Sequence, residues 1–149
     1  MRIKILNKEF EIKAKNLGED KPFWDNSYLH YKFRITVKNL ENNKKISFLF
    51  WDSTNNYLEG KKELEEEDLI LCFKCLLEDA ISFLDNPNID EFSKEFGFEK
   101  VSEALRAFKG CKKQFEKCLK LGLTENEVYD LINEIIQKEN ENNLLSLKL

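Results

Sequence analysis

The sequence predicts an α+β fold, with a small antiparallel β-sheet of about four strands from the N-terminal half packed on three to four α-helices from the C-terminal half. Three observations carry that prediction. Apolar residues recur at every second position as far as Trp51, and at every third or fourth position from Asp68 onward. Charge changes sign at the same place: residues 1–63 hold 13 Lys/Arg and 9 Asp/Glu, whereas residues 64–149 hold 11 and 19. The composition is that of a folded chain, 42% hydrophobic and 35% charged, with five Gly and two Pro in 149 residues. That length predicts one domain over residues 1–149, divided into a β-meander (1–52), a helical part (68–140) and a tail (141–149).

Taken in order, Ile3 and Ile5 alternate with Lys4, and Phe10, Ile12 and Ala14 alternate with Glu11, Lys13 and Lys15, so a hairpin turning at Asn7-Lys8 is expected. Leu17–Ser27 reads as a loop, from Gly18 and Pro22, carrying an apolar plug at Phe23-Trp24. Leu29–Leu40 is the clearest strand: Tyr31, Phe33, Ile35 and Val37 fall on one face, and His30, Lys32, Arg34, Thr36 and Lys38 on the other. Glu41–Lys44 turns the chain into a returning strand, Ile46–Trp51. Asp52–Glu67 is polar, with Tyr57 and Leu58 as anchors.

From Asp68, residues Leu69, Cys72, Phe73, Leu76, Leu77, Ala80, Phe83 and Leu84 form one helical stripe that Asn86-Pro87 ends. Asp90 is expected to cap a short helix to Phe96, with Gly97 in the left-handed position behind it. Phe92 and Phe96, four apart, then plug the core, and Phe98 staples the next helix, about Lys100–Leu121. Thr124 with Glu127 is a capping box, and Val128, Leu131, Ile132, Ile135 and Ile136 give the last helix its apolar face. Four leucines cluster between Leu144 and Leu149, and they either fold back or join another chain.

Several chemistries find no support in the pattern. Cys72 and Cys75 lie inside a helical stripe and Cys111 and Cys118 stand two turns apart, ~10 Å by rise, so all four read as buried core thiols rather than zinc ligands. Asn86, Asn88 and Asp90 alternate like a calcium loop, but Glu91 and Gly97 occupy the places that need a Gly and a bidentate Glu. His30 is the only histidine, on a polar strand face, and no nucleophile or phosphate-loop motif accompanies it. No catalytic residue, metal or cofactor is therefore expected, and the reading is non-enzymatic. No apolar run approaches the ~20 residues of a membrane span and no leader pattern follows Met1, so a cytoplasmic protein without a membrane partner is expected.

Basic surfaces are the remaining candidates. Arg106, Lys109, Lys113, Lys117 and Lys120 follow helical spacing, and at ~100° per residue they share one side, opposite Val101, Ala104, Leu105, Phe108, Cys111, Phe115 and Leu119. Lys32, Arg34 and Lys38 share a strand face. Both sets suit phosphates or an acidic protein surface, and both also suit an ordinary solvated face. The aromatics of the strands alternate away from the cations, which weighs against stacking of single-stranded bases.

The helical half also carries a resemblance. Glu67-Asp68-Leu69, Cys75-Leu76-Leu77-Glu78-Asp79-Ala80, Asp90-Glu91-Phe92, Glu95-Phe96-Gly97-Phe98, Ala104, Cys111 and Gln114 follow one another as in a widespread group of small phage- and prophage-encoded proteins. The likeness covers about residues 46–120 and departs at Phe98, where that group has Tyr, and at Lys100-Val101, where it has Asp-Ser. The resemblance implies an origin in a mobile element and an anti-defence role. It implies a protein that binds a host defence protein or ribonucleoprotein and blocks it by occlusion, as anti-CRISPR proteins do. A nucleic-acid-binding accessory protein of a prophage is the alternative, and an enzyme of unrecognised class a third. No residue role is carried over from the resemblance.

Overall fold

A computed structural model describes residues 1–20, 30–52 and 62–149. Strands β1 (Arg2–Ile5), β2 (Lys8–Asp20), β3 (His30–Asn39) and β4 (Lys45–Asp52) form one antiparallel meander in that order. Their period-two pattern buries one face: Ile3, Ile5, Phe10, Ile12, Phe33, Ile35, Val37, Ile46 and Phe48 all point into the core. Register keeps them together, with Ile3 opposite Phe10, Ile12 opposite Val37 and Ile35 opposite Phe48.

Helices α1 (Glu66–Asp85), α2 (Ile89–Phe96), α3 (Val101–Lys120) and α4 (Glu125–Asn140) follow, and a short 3₁₀ turn, Leu144–Leu147, closes the described chain. The α+β expectation is met: the antiparallel sheet precedes all four helices. α1 is the shared element, in contact with β2, β3, α3, α4 and the 3₁₀ turn. Ile70, Cys72, Phe73, Leu76, Leu77 and Ala80 are buried along it, and the Phe73 ring meets Phe10 of the sheet at 5.0 Å. Full burial of one such side chain contributes roughly 1.5–3 kcal/mol. α4 is clamped to α1 by Lys74, 2.6 Å from Glu139 and 3.2 Å from Glu78. Burial works against the Lys74 charge, but the two carboxylates outweigh it and raise its pKa.

Local chemistry sets the element ends. The α1 start is a capping box between Glu65 and Asp68, and the α4 start is the expected one between Thr124 and Glu127. Glu127 also pairs with Lys8 of β2, which, ahead of the capping contacts, holds its carboxyl below the ordinary glutamate value. Gly97 ends α2 at φ 67°, as expected. Asn88, rather than Asp90, caps α2: its side-chain oxygen accepts from the Asp90 N–H at 2.8 Å and the Glu91 N–H at 3.4 Å.

Other expectations are corrected. The first turn is at Leu6-Asn7, with Leu6 at φ 58°. Leu17–Asp20 is strand, not loop, because a bulge between Asn16 and Gly18 absorbs the irregularity. The Gly18 N–H donates to the Asn16 side chain at 2.7 Å, and β2 pairs on to Asp20. The Phe23-Trp24 plug and the Tyr57 and Leu58 anchors lie outside the described residues. His30 has the outward parity of Lys32 yet is 8% exposed, since parity sets direction and not cover. Of the cysteines only Cys72 and Cys118 are buried; Cys111 is half-buried and Cys75 exposed, because α1 turns that side to solvent. Phe92 is the core plug at 2% exposure, whereas Phe96 rests against its ring at 4.7 Å and stays 48% exposed.

The stripe of α3 is narrower than its spacing suggested. Ala104, Phe108, Cys111, Phe115 and Cys118 form the face toward α1, and Phe83 meets the rings of Phe108 and Phe115 at 5.6 and 5.5 Å. Val101, Leu105 and Leu119, expected on the buried side, are 82%, 39% and 46% exposed. They stand at the edge of a face that packs mainly on α1, with smaller contacts to the short α2 and β4. Ile136 of α4 is likewise at a margin, 37% exposed.

The β3–β4 turn locks onto the end of α3. Buried Asn39 donates to the Leu121 carbonyl at 3.0 Å, Asn42 donates to the same oxygen at 3.3 Å, and the Asn39 side chain accepts from the Glu41 N–H at 3.0 Å. Gly122 sits under that turn at φ 88°, where an added Cβ would lie 2.2 Å from the Asn42 side-chain nitrogen. Gly122→Ala therefore combines backbone strain with a clash, and is expected to cost about 1–3 kcal/mol. Denaturant unfolding measures it, and adding Asn42→Ala should return only the clash component.

Candidate functional site

All four helices lie on one side of the sheet, so the other face of the meander is open to view among the described residues. Period two then decides which side chains it carries. Arg2 and Lys4 of β1, Lys13 and Lys15 of β2, Lys32, Arg34 and Lys38 of β3, and Lys45 of β4 all point outward, with Glu9 and Glu11 as the described carboxylates among them. Among the described residues, eight cations against two carboxylates make this face strongly basic in a chain whose net charge is −4. The candidates Lys32, Arg34 and Lys38 belong to it. Arg2, Lys4, Lys13, Lys15 and Lys45 are the members that reading β3 alone missed, and the alternation of β1, β2 and β4 was the signal that could have found them.

Pairing within the face is uneven. Glu11 lies 3.5 Å from Lys13 and 3.6 Å from Arg2; against a desolvation cost, Lys13 and then Arg2 hold its carboxyl below the usual glutamate value. Lys15, by contrast, stands directly opposite Arg34, and Lys38 directly opposite Lys45. Like charges facing each other across a ladder destabilise a sheet. A merely solvated face has no need of such pairs, and mixed signs would serve folding better. A shallow hollow of about 490 Å³ lies among Glu11, Lys13, Thr36, Lys38, Asn43 and Lys45.

Among the described residues one aromatic side chain is on this face, contrary to the expectation that all alternate away. Trp51 stands opposite Lys32 in the ladder, and the Lys32 ammonium rests 5.2 Å from its ring centroid. Trp51 is half-buried, and it also lines a cleft of about 700 Å³ between β4, α1 and α3.

That cleft connects the second set of candidates to the first. On α3, Arg106, Lys109, Lys113 and Lys120 are exposed and Lys117 is half-buried. Lys113 and Lys117 line the cleft opposite β4; Arg106, Lys109 and Lys120 do not. Burial first, then the neighbouring charges of Lys113 and Lys120, hold Lys117 below the ordinary lysine pKa. Gly110 faces the cleft from the middle of α3, where Gly costs about 1 kcal/mol relative to Ala. Among the described residues an added Cβ there would meet nothing within 4 Å.

Asp79 and Cys75 of α1 complete the wall. Desolvation, then Glu78, raises the Asp79 carboxyl to about 6, and desolvation with Glu78 and Asp79 raises the Cys75 thiol to about 11. A thiol so held is protonated at neutral pH and a poor nucleophile. Among the described residues no group of three or more His, Cys, Asp or Glu side chains is placed to hold a metal, and no helix is long and apolar enough to cross a membrane.

Because the Asp79 pKa is raised from its ordinary 3.8 to about 6, the folded protein holds this proton more tightly than the unfolded chain does. Stability due to Asp79 is present below pH ~4, falls through that window, and is gone above it. Asp79→Asn should therefore be more stable than the unaltered protein at pH 7, with the difference shrinking toward pH 4, as read from thermal midpoints across pH. Comparison of the chain with protein-family models, curated proteins and solved structures finds no match.

Proposed function

We propose that the protein is a non-enzymatic inhibitor carried by a phage or other mobile element, which binds a host defence ribonucleoprotein and blocks it by occlusion in the anti-CRISPR manner. The setting rests on the resemblance of residues 46–120 to small phage proteins. The mode of contact rests on one observation, the cationic outer face of the sheet with its two like-charge pairs, Lys15–Arg34 and Lys38–Lys45, of which the second has Glu11 on the far side of Lys38. A nucleic acid within the ribonucleoprotein supplies the phosphates that such a face lacks, and releases counterions as it docks. The face is broad and shallow, suited to covering a surface rather than enclosing a small substrate. The same cations favour a second reading, a prophage accessory protein that binds nucleic acid without a protein target.

A pull-down from hosts carrying CRISPR or restriction systems separates the two. Recovery of a defence protein with its RNA is the result expected, recovery of nucleic acid alone favours the accessory protein, and recovery of neither across several hosts removes both. Charge reversal offers a check in which two readouts move in opposite directions. Lys15→Glu and Lys45→Glu each place a carboxylate opposite a cation, so each should stabilise the fold by about 0.2–1 kcal/mol. Both should weaken nucleic-acid binding and flatten its dependence on salt, by about one unit of slope per lysine lost. Calorimetric midpoints and salt titrations of binding measure the two effects.

A further inference from the structure

The meander has two edges, and the chain treats them differently. At β1 the last residues lie along the strand, with Lys148 bridging to Ile3 and the Leu149 N–H donating to the Arg2 carbonyl at 3.0 Å. β4 is the other edge, and among the described residues no strand pairs with its outer side. The phase of its free groups follows from the turn. The Asn39 N–H donates to the Lys44 carbonyl at 2.8 Å, so Ile46, Phe48 and Phe50 turn their main-chain groups to β3, and Lys45, Ser47 and Leu49 turn theirs outward. Edges of this kind are ordinarily blunted by a bulge, a proline or a cover. β4 pairs with β3 from Lys45 to Asp52 without a register shift, contains no proline, and carries Leu49 at 51% exposure. The cleft of about 700 Å³ runs beside it. Phe48, Leu49 and Phe50, consecutive and of both parities, line that cleft, so it meets the edge of the strand as well as its inner face. α3 forms the facing wall, where Gly110 leaves room for a second main chain and Lys113 and Lys117 supply charge.

We propose that this groove binds an extended acidic segment of a partner protein as a fifth strand. Its main chain pairs with the outward groups of Lys45, Ser47 and Leu49, and side chains on its helix-facing side carry carboxylates to Lys113 and Lys117. This contact goes beyond the reading of the sheet face and does not depend on it. Charge selects the occupant. Among the described residues neither Lys113 nor Lys117 forms an ion pair, and burial together with Lys113 and Lys120 holds the Lys117 pKa down. Carboxylates would relieve that repulsion. Asp79 bars them from the α1 side of the cleft and so directs them to the α3 rim. A second copy docking through its own β4 would bring its own Lys113 and Lys117 to the same groove and add to the repulsion. A nucleic-acid strand would satisfy the lysines, but it has no repeat of N–H and C=O groups to match the edge.

The test uses a labelled peptide of alternating Glu and Val, about as long as the eight residues of β4, with an oligothymidylate of about 12 nucleotides as competitor. Two N-methylated forms of the peptide, each blocked at one set of alternate residues, lose either the donors that face β4 or those that face away. One form should bind about tenfold or more weakly, and the other should keep most of the affinity. Ser47→Pro removes an outward N–H and leaves the β3 ladder intact, and it should weaken the unblocked peptide by about tenfold, as should Lys113→Gln combined with Lys117→Gln. Circular dichroism of each variant reports folding, and the methylated peptides need no variant at all. Methylated forms that bind alike refute the strand pairing, and so does the absence of binding up to about 1 mM peptide. Slow hydrogen exchange at the Ser47 and Leu49 amides of the free monomer means that the protein covers this edge itself, and overturns the proposal. A dimer of the free protein that Ser47→Pro dissociates assigns the edge to a second copy. Displacement of the peptide by oligothymidylate, lost in the double lysine variant, assigns the groove to nucleic acid. Either result overturns the proposal, and the sheet-face reading is judged separately by the Lys15 and Lys45 salt titrations.

Discussion

A helix buried on two sides is the constraint on which the rest of this molecule depends. The buried residues of α1, among them Ile70, Phe73, Leu76, Leu77 and Ala80, cover an arc of roughly 160° at ~100° per residue, too wide for a single neighbour to cover. The sheet takes one side, through contacts such as Phe10 on Phe73, and α3 and α4 take the others. Once the sheet has spent one face on α1, the helices that follow can only extend the same layer. Among the described residues, no helix packs on the opposite face of the meander. The cationic surface therefore occupies the part of the molecule that core formation does not use, and its side chains can be set by binding.

That division also explains the electrostatics. The strands carry the surplus of Lys and Arg and the helices the surplus of Asp and Glu. Charges on the helical side form local pairs across elements, as Lys74 does with Glu139 and Lys148 with Glu66. On the sheet, Lys15, Arg34, Lys38 and Lys45 have no carboxylate within pairing distance among the described residues. The molecule thus has a basic face and an acidic back. It would present the basic face to a polyanion at long range, to a degree that screening by salt reduces over about 10 Å at 0.1 M.

Much of the fold was legible because burial and period agree. Ile35 and Val37, or Leu131 and Ile135, announce both their element and their face, since β3 and α4 each bury a single side. The misreadings fall where tertiary contact overrides a local pattern. Val101, Leu105 and Leu119 look like core on a helical projection, but α3 packs mainly on α1, with smaller contacts to the short α2 and β4, and none of the described elements covers that margin of it. Gly18 reads as a break and is a bulge, because Asn16 supplies the hydrogen bond that carries the strand past it. For the candidate site, β3 declared its cations from its own alternation. Their doubling by Lys15 and Lys45 required the register, and the meeting of Trp51 with Lys113 and Lys117 required the packing of α3 against β4. No spacing along the chain encodes that approach.

The way the sheet is closed has a consequence for the timing of folding. β1 would be an open edge, but the last residues lie along it: Lys148 bridges to Ile3, the Leu149 N–H donates to the Arg2 carbonyl at 3.0 Å, and Leu144 and Leu147 are buried beneath. Lys148 is pinned in turn to Glu66 at 2.7 Å. During synthesis, then, β1 waits for residues 144–149, which are made on the order of 10 s later. For that interval the edge carries unpaired backbone groups able to pair with another nascent chain. The exposed charges of Arg2 and Lys4, which repel a second copy of the same strand, are what guard it while the cover is still being made.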